Sequence, residues 1–181
     1  GKACFAAERS LVEHGEDDGL HCTHCHPSDP FNEVKEKQRF LEHMAAHILY
    51  DLFIDCHSQP CGLCLQPSPA CWIFPKKGRG KDAIISVDMK CSACPNLIKF
   101  SYGSASQSSD SAPCSNHSIH CDLCPSSPPA VWSYNWEHHH QHEHPNTPVL
   151  APDEDPSHLE PFERKKLKLI WDSRSTVARK K

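Results

Sequence analysis

The run NEVKEKQRFLEHMAAHILYDLF over residues 32–53 holds neither glycine nor proline and predicts a helix. Asp29-Pro30 ahead of it suits an N-cap followed by a first-turn proline. A second helix is predicted between Pro128-Pro129 and Pro145, with Trp132 and Trp136 sharing its buried face. Between the two lie shorter apolar runs of strand type: CWIF (71–74), AIISVDM (83–89) and LIKFSY (97–102). The turn PKKGRGKD separates the first from the second. The remaining stretches are polar. Residues 1–20 form an acidic arm with Glu13, Glu16, Asp17 and Asp18, and the Ser-rich 101–118 reads as a linker or long loop. Residues 146–163 are an acidic, Pro-rich spacer, and 164–181 a basic tail. No apolar run reaches the roughly 18 residues of a spanning helix. No charged-then-apolar leader opens the sequence, and Gly1-Lys2 leave its native start open.

Composition changes this picture in one respect. Among 181 residues only 38% are apolar, a class that includes 12 cysteines, while proline numbers 16 and methionine 2. Several small cores are expected, and small cores need staples. An even cysteine count suggests a secreted disulfide scaffold. The spacing argues otherwise. Cys22/Cys25, Cys61/Cys64, Cys91/Cys94 and Cys121/Cys124 are all C-x-x-C pairs, and two of them precede spaced histidines. Disulfides have no use for histidine, whereas zinc takes thiolate and imidazole together in tetrahedral sites. About three Zn2+ ions per chain are expected, in a reducing compartment, the nucleus or alternatively the cytoplasm.

The first unit, 21–55, offers Cys22, Cys25, His43 and His47, the two histidines one helical turn apart and so on one face. Phe40 stands three residues before His43, where an apolar plug over the metal belongs. His21, His24 and His26 are expected in solvent. The third unit, 119–145, offers Cys121 and Cys124 before His138, His139, His140, His142 and His144. An internal echo chooses among them. Pro-Ser follows both knuckles, and Trp136 precedes His139 as Phe40 precedes His43. This favours His139 with His144, and His140 with His144 is the other pairing. In the middle unit, 56–118, spacing alone allows Cys61/Cys64/Cys91/Cys94 or Cys61/Cys64/Cys71/Cys94, with Cys56 and Cys114 unassigned. The expected fold class is small α+β: two C2H2-like fingers flanking a stranded, ribbon-like Cys4 unit, each unfolding when it loses a ligand.

CGLC (61–64), C-x-I (71–73), KKGRG (76–80), CPN (94–96) and Phe-x-Tyr (100–102) come in a specific order. SAPCSN (111–116), CDLCP (121–125), VWSYN (131–135) and a final His-x4-His-Pro (139–145) continue it. Over residues 61–145 the chain thereby resembles the largely uncharacterised C2H2-type zinc-finger proteins expanded in mushroom-forming fungi. In that family the position of Cys91 is usually not cysteine, while those of Cys71 and Cys94 are. The resemblance therefore implies Cys61, Cys64, Cys71 and Cys94 as one ligand set, and His139 with His144 in the other. It also implies a nuclear, nucleic-acid-associated role.

Four-ligand zinc sites are closed and leave no position for a catalytic water, and no H-E-x-x-H, deaminase or Walker motif is present, so no enzyme is expected. The leading expectation is DNA binding, with helix residues Lys35 and Arg39 (beside Lys37 and Gln38) in a groove. The glycine-basic turn Lys76, Lys77, Arg79 and Lys81 and the tail Lys165 and Lys166 would meet phosphate. Residues 164–181 carry eight Lys/Arg and one Asp, a net +7, so with a total of −4 the remaining 163 residues carry −11. That acidic body argues against a DNA footprint. The alternative is a protein-interaction module using the stripe Leu167, Leu169, Ile170 and Trp171. A ubiquitin-ligase cross-brace through Cys22/Cys25, Cys56/His57, Cys61/Cys64 and Cys91/Cys94 fails because Cys56 and His57 are adjacent. No membrane partner is expected.

Overall fold

The computed structural model describes residues 20, 22–25, 31, 35–77, 85–98, 107–124, 129–148 and 158–174. Helix α1 spans Lys37–Tyr50, several residues shorter at its start than the sequence predicts. Leu20 and Phe31 form an antiparallel bridge with mutual backbone bonds of 3.0 and 2.9 Å. An extended Phe31 cannot belong to a helical turn, so the helix starts after it; Asp29-Pro30 lie outside the described residues. At the other end Asp51 turns extended (φ −84°, ψ 110°), and its Oδ1 accepts the Phe53 N–H at 3.1 Å, closing a short turn. Every residue from Phe40 to Ile48 is buried, so the helix is sheathed on all sides.

Strands β1 (Pro75–Lys77) and β2 (Ile85–Val87) pair antiparallel, Pro75 opposite Val87 and Lys77 opposite Ile85. Strand β1 therefore lies in what the sequence reads as the turn, and CWIF contributes only an isolated bridge from Trp72 to Ala93. Leu97 and Ile98 are not in a strand, although Ile98 is fully buried; 99–102 lie outside the described residues.

Residues 107–118 are not a loose linker. Cys114, Asn116 and Ser118 are buried, and β3 (Ser118–Ile119) pairs antiparallel with β4 (Val131–Trp132). Trp132 is thus a strand residue. A 3-10 turn over Ser133–Asn135 follows, and α2 starts only at Trp136, running to Glu143 just before His144-Pro145. Polar groups delay the helix. Ser133 N donates to His117 O at 2.8 Å, Tyr134 N to Asn116 Oδ1 at 3.2 Å, and Asn135 Nδ2 to Pro60 O at 2.8 Å.

The largest departure from the sequence reading is α3, Pro161–Ser173, with Pro161 in its first turn. The spacer and tail contain a helix that is part of the body, packed along α1. Leu167 is fully buried and Trp171 and Ile170 half-buried, so of the expected apolar stripe only Leu169 is exposed. Glu163 is buried as well. Its Oε1 accepts from Ser115 N at 2.6 Å and Ser115 Oγ at 2.8 Å, and from the Tyr134 hydroxyl. Tyr50 donates to Arg164 O at 2.7 Å.

Phe40, Met44, Leu63, Ile73, Ile98 and Leu167 belong to one cluster of buried side chains drawn from α1, the middle cysteine-rich segment and α3. Gly62 is placed there by necessity, since a Cβ would collide with the Trp132 ring. The result is a small mixed helix-and-sheet fold around one core. No helix among the described residues is long and apolar enough to cross a membrane.

Candidate metal centres

Three groups of cysteine and histidine converge. They are Cys22/Cys25/His43/His47, Cys61/Cys64/Cys71/Cys94 and Cys121/Cys124/His139/His144, and in each the candidate donor atoms lie within 4.8 Å of one another. Cys71 and not the exposed Cys91 joins the second group, and His139 and not His140 the third. Whether the donors suit zinc can be tested on distances. Zinc sits about 2.3 Å from sulfur and about 2.0–2.1 Å from nitrogen, which sets tetrahedral edges of about 3.8 Å for S···S and about 3.5 Å for S···N. Cys61 Sγ and Cys94 Sγ are 3.9 Å apart. His47 Nε2 lies 3.5 Å from Cys22 Sγ and 3.1 Å from Cys25 Sγ. Cys124 Sγ is 3.4 Å from His139 Nε2 and 3.2 Å from His144 Nε2, which is 3.3 Å from Cys121 Sγ. The donor sets fit a tetrahedral ion.

In the first centre α1 supplies both imidazoles from successive turns. Phe40 lies at the core beneath them, and the Phe31 ring sits 5.1 Å from His43, whose Nε2 is sealed from solvent. His47 presents Nε2 to the sulfurs because Asp51 Oδ2 holds its Nδ1 at 2.9 Å. A carboxylate on the far nitrogen fixes tautomer and ring orientation. Burial pushes His47 below its ordinary range against the opposing pull of Asp51, which favours the neutral, ligating form. Burial, followed by the adjacent Cys22, pushes the Cys25 thiol up to about 12. From α3, Trp171 packs edge-on 5.2 Å from the His47 ring, and the Arg174 guanidinium stacks on that indole. Replacing Asp51 by Asn should weaken zinc at this centre about 10–100-fold in chelator competition while leaving the other two centres unchanged. Equal affinity in the variant would remove Asp51 from the role.

The second centre lies within the core, with Cys61, Cys64 and Cys71 buried among Leu63 and Ile73. Leu65 closes the knuckle at φ 59°, a left-handed position costly for a branched side chain. Hydrogen bonds from Cys64, Cys71 and Cys94 hold Cys61 well below the usual thiol range, and the bonds to Cys61 push Cys71 and Cys94 up. A cation at the centre would offset the mutual repulsion of the thiolates.

The third centre hangs on β4 and α2. Gln59 Oε1 lies 3.2 Å from His139 Nδ1, and Pro60 O accepts from Asn135, so the segment entering the second centre also orients the third. His140 turns away to Thr147 Oγ1 at 3.1 Å. Asp51 and Gln59 are the functional residues that sequence reasoning missed. Asp51 had a signal, an acid four residues after a ligating histidine; Gln59 is 80 residues from its partner and had none.

The remaining cysteines among the described residues lie apart from the clusters. Cys56 Sγ is 3.6 Å from Ile48 O. Cys114 Sγ is 3.8 Å from Leu41 O and 3.9 Å from the Tyr134 hydroxyl, and burial pushes its thiol up to about 12.

The basic residues proposed for nucleic acid are spread over separate elements. Lys35 and Arg39 are exposed at the start of α1, Arg39 paired with Glu36. Lys76 is exposed on β1 beside Lys77; Arg79 and Lys81 lie outside the described residues. On α3, Lys165 is exposed and Lys166 lies 3.3 Å from Asp110. Compared with known proteins, the chain matches no family model, no curated protein and no solved structure.

Proposed function

We propose that the chain is a zinc-stapled protein-recognition module of the nucleus or cytoplasm. It holds about three structural Zn2+ ions, in two finger-like centres flanking a ribbon-like Cys4 centre. The zinc part rests on donor chemistry and edge lengths. The recognition part rests on one observation: beyond the first turn of α1, where the exposed Arg39 pairs with Glu36, neither ligand-bearing helix offers a basic face to a nucleic-acid groove. Helix α1 is buried without interruption from Phe40 to Ile48, and α2, WEHHHQHE, contains no Lys or Arg. Readout in the major groove needs a helix that can enter it and basic side chains around it. All four ligands of each centre come from the chain, which leaves no open position for a reacting water.

DNA binding is the second reading, and α3 favours it. Arg164, Lys165 and Lys168 are exposed there, within the segment that carries the chain's positive charge. Binding of the zinc-loaded chain to a randomised duplex pool at two salt concentrations separates the readings. The recognition module predicts no enriched sequence, and only weak salt-sensitive binding that disappears when Arg164, Lys165 and Lys168 become Gln. Enrichment of a defined site would overturn it in favour of DNA.

A further inference from the structure

A cavity of about 230 Å³ opens between the second and third centres. Ile73 and Val131 are buried on its floor, and Trp72 stands at its mouth with 38% of its surface exposed. The Trp72 backbone is pinned by the bridge to Ala93, N–H to O at 3.3 Å and the reverse at 3.0 Å, which anchors the base of the indole at the cavity. Small-molecule sites usually measure about 300–1,000 Å³, so this space suits one long side chain better than a cofactor.

The described lining carries charge of one sign. Among the described residues no Lys or Arg lines the cavity, and the one acidic side chain that does is Glu143, the last residue of α2. An acid at a helix C-terminus faces the negative end of the helix dipole, which is unfavourable, and the carbonyls there add to the negative potential. Glu143 Oε1 lies 3.0 Å from the exposed His142 Nδ1. Cys61 and Cys71 form part of the wall, and a closed Cys4 zinc site carries a formal charge of about −2. Cys124 and His139 of the neighbouring centre, formally neutral with its two thiolates and zinc, complete that side.

We propose that this cavity takes a lysine side chain of a partner polypeptide. Its aliphatic stem lies over Ile73 and Val131 and its ammonium group sits between the Trp72 face and the Glu143 carboxylate. The assignment rests on the protein-recognition reading above and adds the chemistry of the partner, a basic segment. An aromatic face and a carboxylate around a partly desolvated ammonium are complementary to a cationic side chain on a long aliphatic stem. Phosphate is disfavoured by the same field.

The test uses the zinc-loaded full chain and two capped peptides, Ala-Gly-Lys-Gly-Ala and the same peptide with acetyl-lysine, titrated by tryptophan fluorescence and calorimetry. The lysine peptide should bind at least about fivefold tighter than its acetylated form, and added salt should narrow the gap. Trp72→Ala and Glu143→Gln should each lose about five- to tenfold in affinity, and Glu143→Gln should keep or raise thermal stability because an unfavourable charge leaves the helix end. Equal binding of both peptides, no saturable binding, or indifference to either substitution overturns the assignment. Zinc counted in the same sample separates the two levels. Three ions without lysine preference sinks the cavity assignment alone. A chain short of zinc sinks the metal reading and, with the Cys4 charge gone, the cavity assignment too.

Discussion

Cys61→Ser should cost the chain about one zinc ion and its whole fold, not one local unit. Cys61, Cys64 and Cys71 lie in the same buried cluster as Phe40, Met44 and Leu167. The second centre is therefore part of the core that α1 and α3 pack against. Structural zinc contributes an apparent ~10–16 kcal/mol at neutral pH, against a total stability of ~5–15 kcal/mol for an ordinary domain. Near-UV circular dichroism together with metal analysis should show one ion missing and tertiary signal lost throughout. A variant that binds two ions and melts normally would show that the middle centre is peripheral to stability. Lowering the pH should act in the same direction, because each imidazole and thiolate must shed its proton to bind.

The second large effect is expected at Leu167, which belongs to a segment the sequence reads as a solvated basic tail. Leu167→Ala should destabilise the chain by about 2–5 kcal/mol, lowering Tm by roughly 4–20 °C, since the side chain is fully buried against α1. Leu169→Ala, two residues away and 58% exposed, should stay within about 0.5 kcal/mol and serves as the control. Similar melting of the two variants would mean that α3 is only loosely attached. The packing has a polar counterpart in Glu163, which accepts from Ser115 and Tyr134 inside the fold. A carboxylate this deep is retained only where its oxygens are occupied.

Zinc-type spacing made the three clusters legible. A C-x-x-C knuckle leaves few geometries for its sulfurs, and histidines at i, i+4 on a helix can converge on one point. The choice between Cys71 and Cys91 was not fixed by spacing; it depends on the Trp72–Ala93 bridge, which draws Cys71 inward and leaves Cys91 exposed. Helix starts were misjudged at both ends of the chain, each time because of a short extended pairing. Phe31 pairs with Leu20, and Val131–Trp132 pairs with Ser118–Ile119, partners far enough away that local propensity says nothing of them. The misreading of 161–173 has a different cause. KKLKLIW has the charge of a tail, and its apolar residues gain a purpose only beside α1, more than a hundred residues earlier.

The contact between α3 and α1 also sets an order of events during synthesis. A ribosome adds on the order of 5–20 residues each second, so seconds separate the emergence of His47 from that of Leu167 and Trp171. Throughout that interval the face of α1 that α3 will cover is open, and the first centre has its four ligands but lacks the indole that packs against His47. Nascent chains stalled in this window would expose apolar surface to chaperones, and a zinc ion taken up at the first centre would still be open to competing thiols. Emergence of the last turn of α3 then closes the core and would slow that exchange, so a metal acquired first would be the last to be secured.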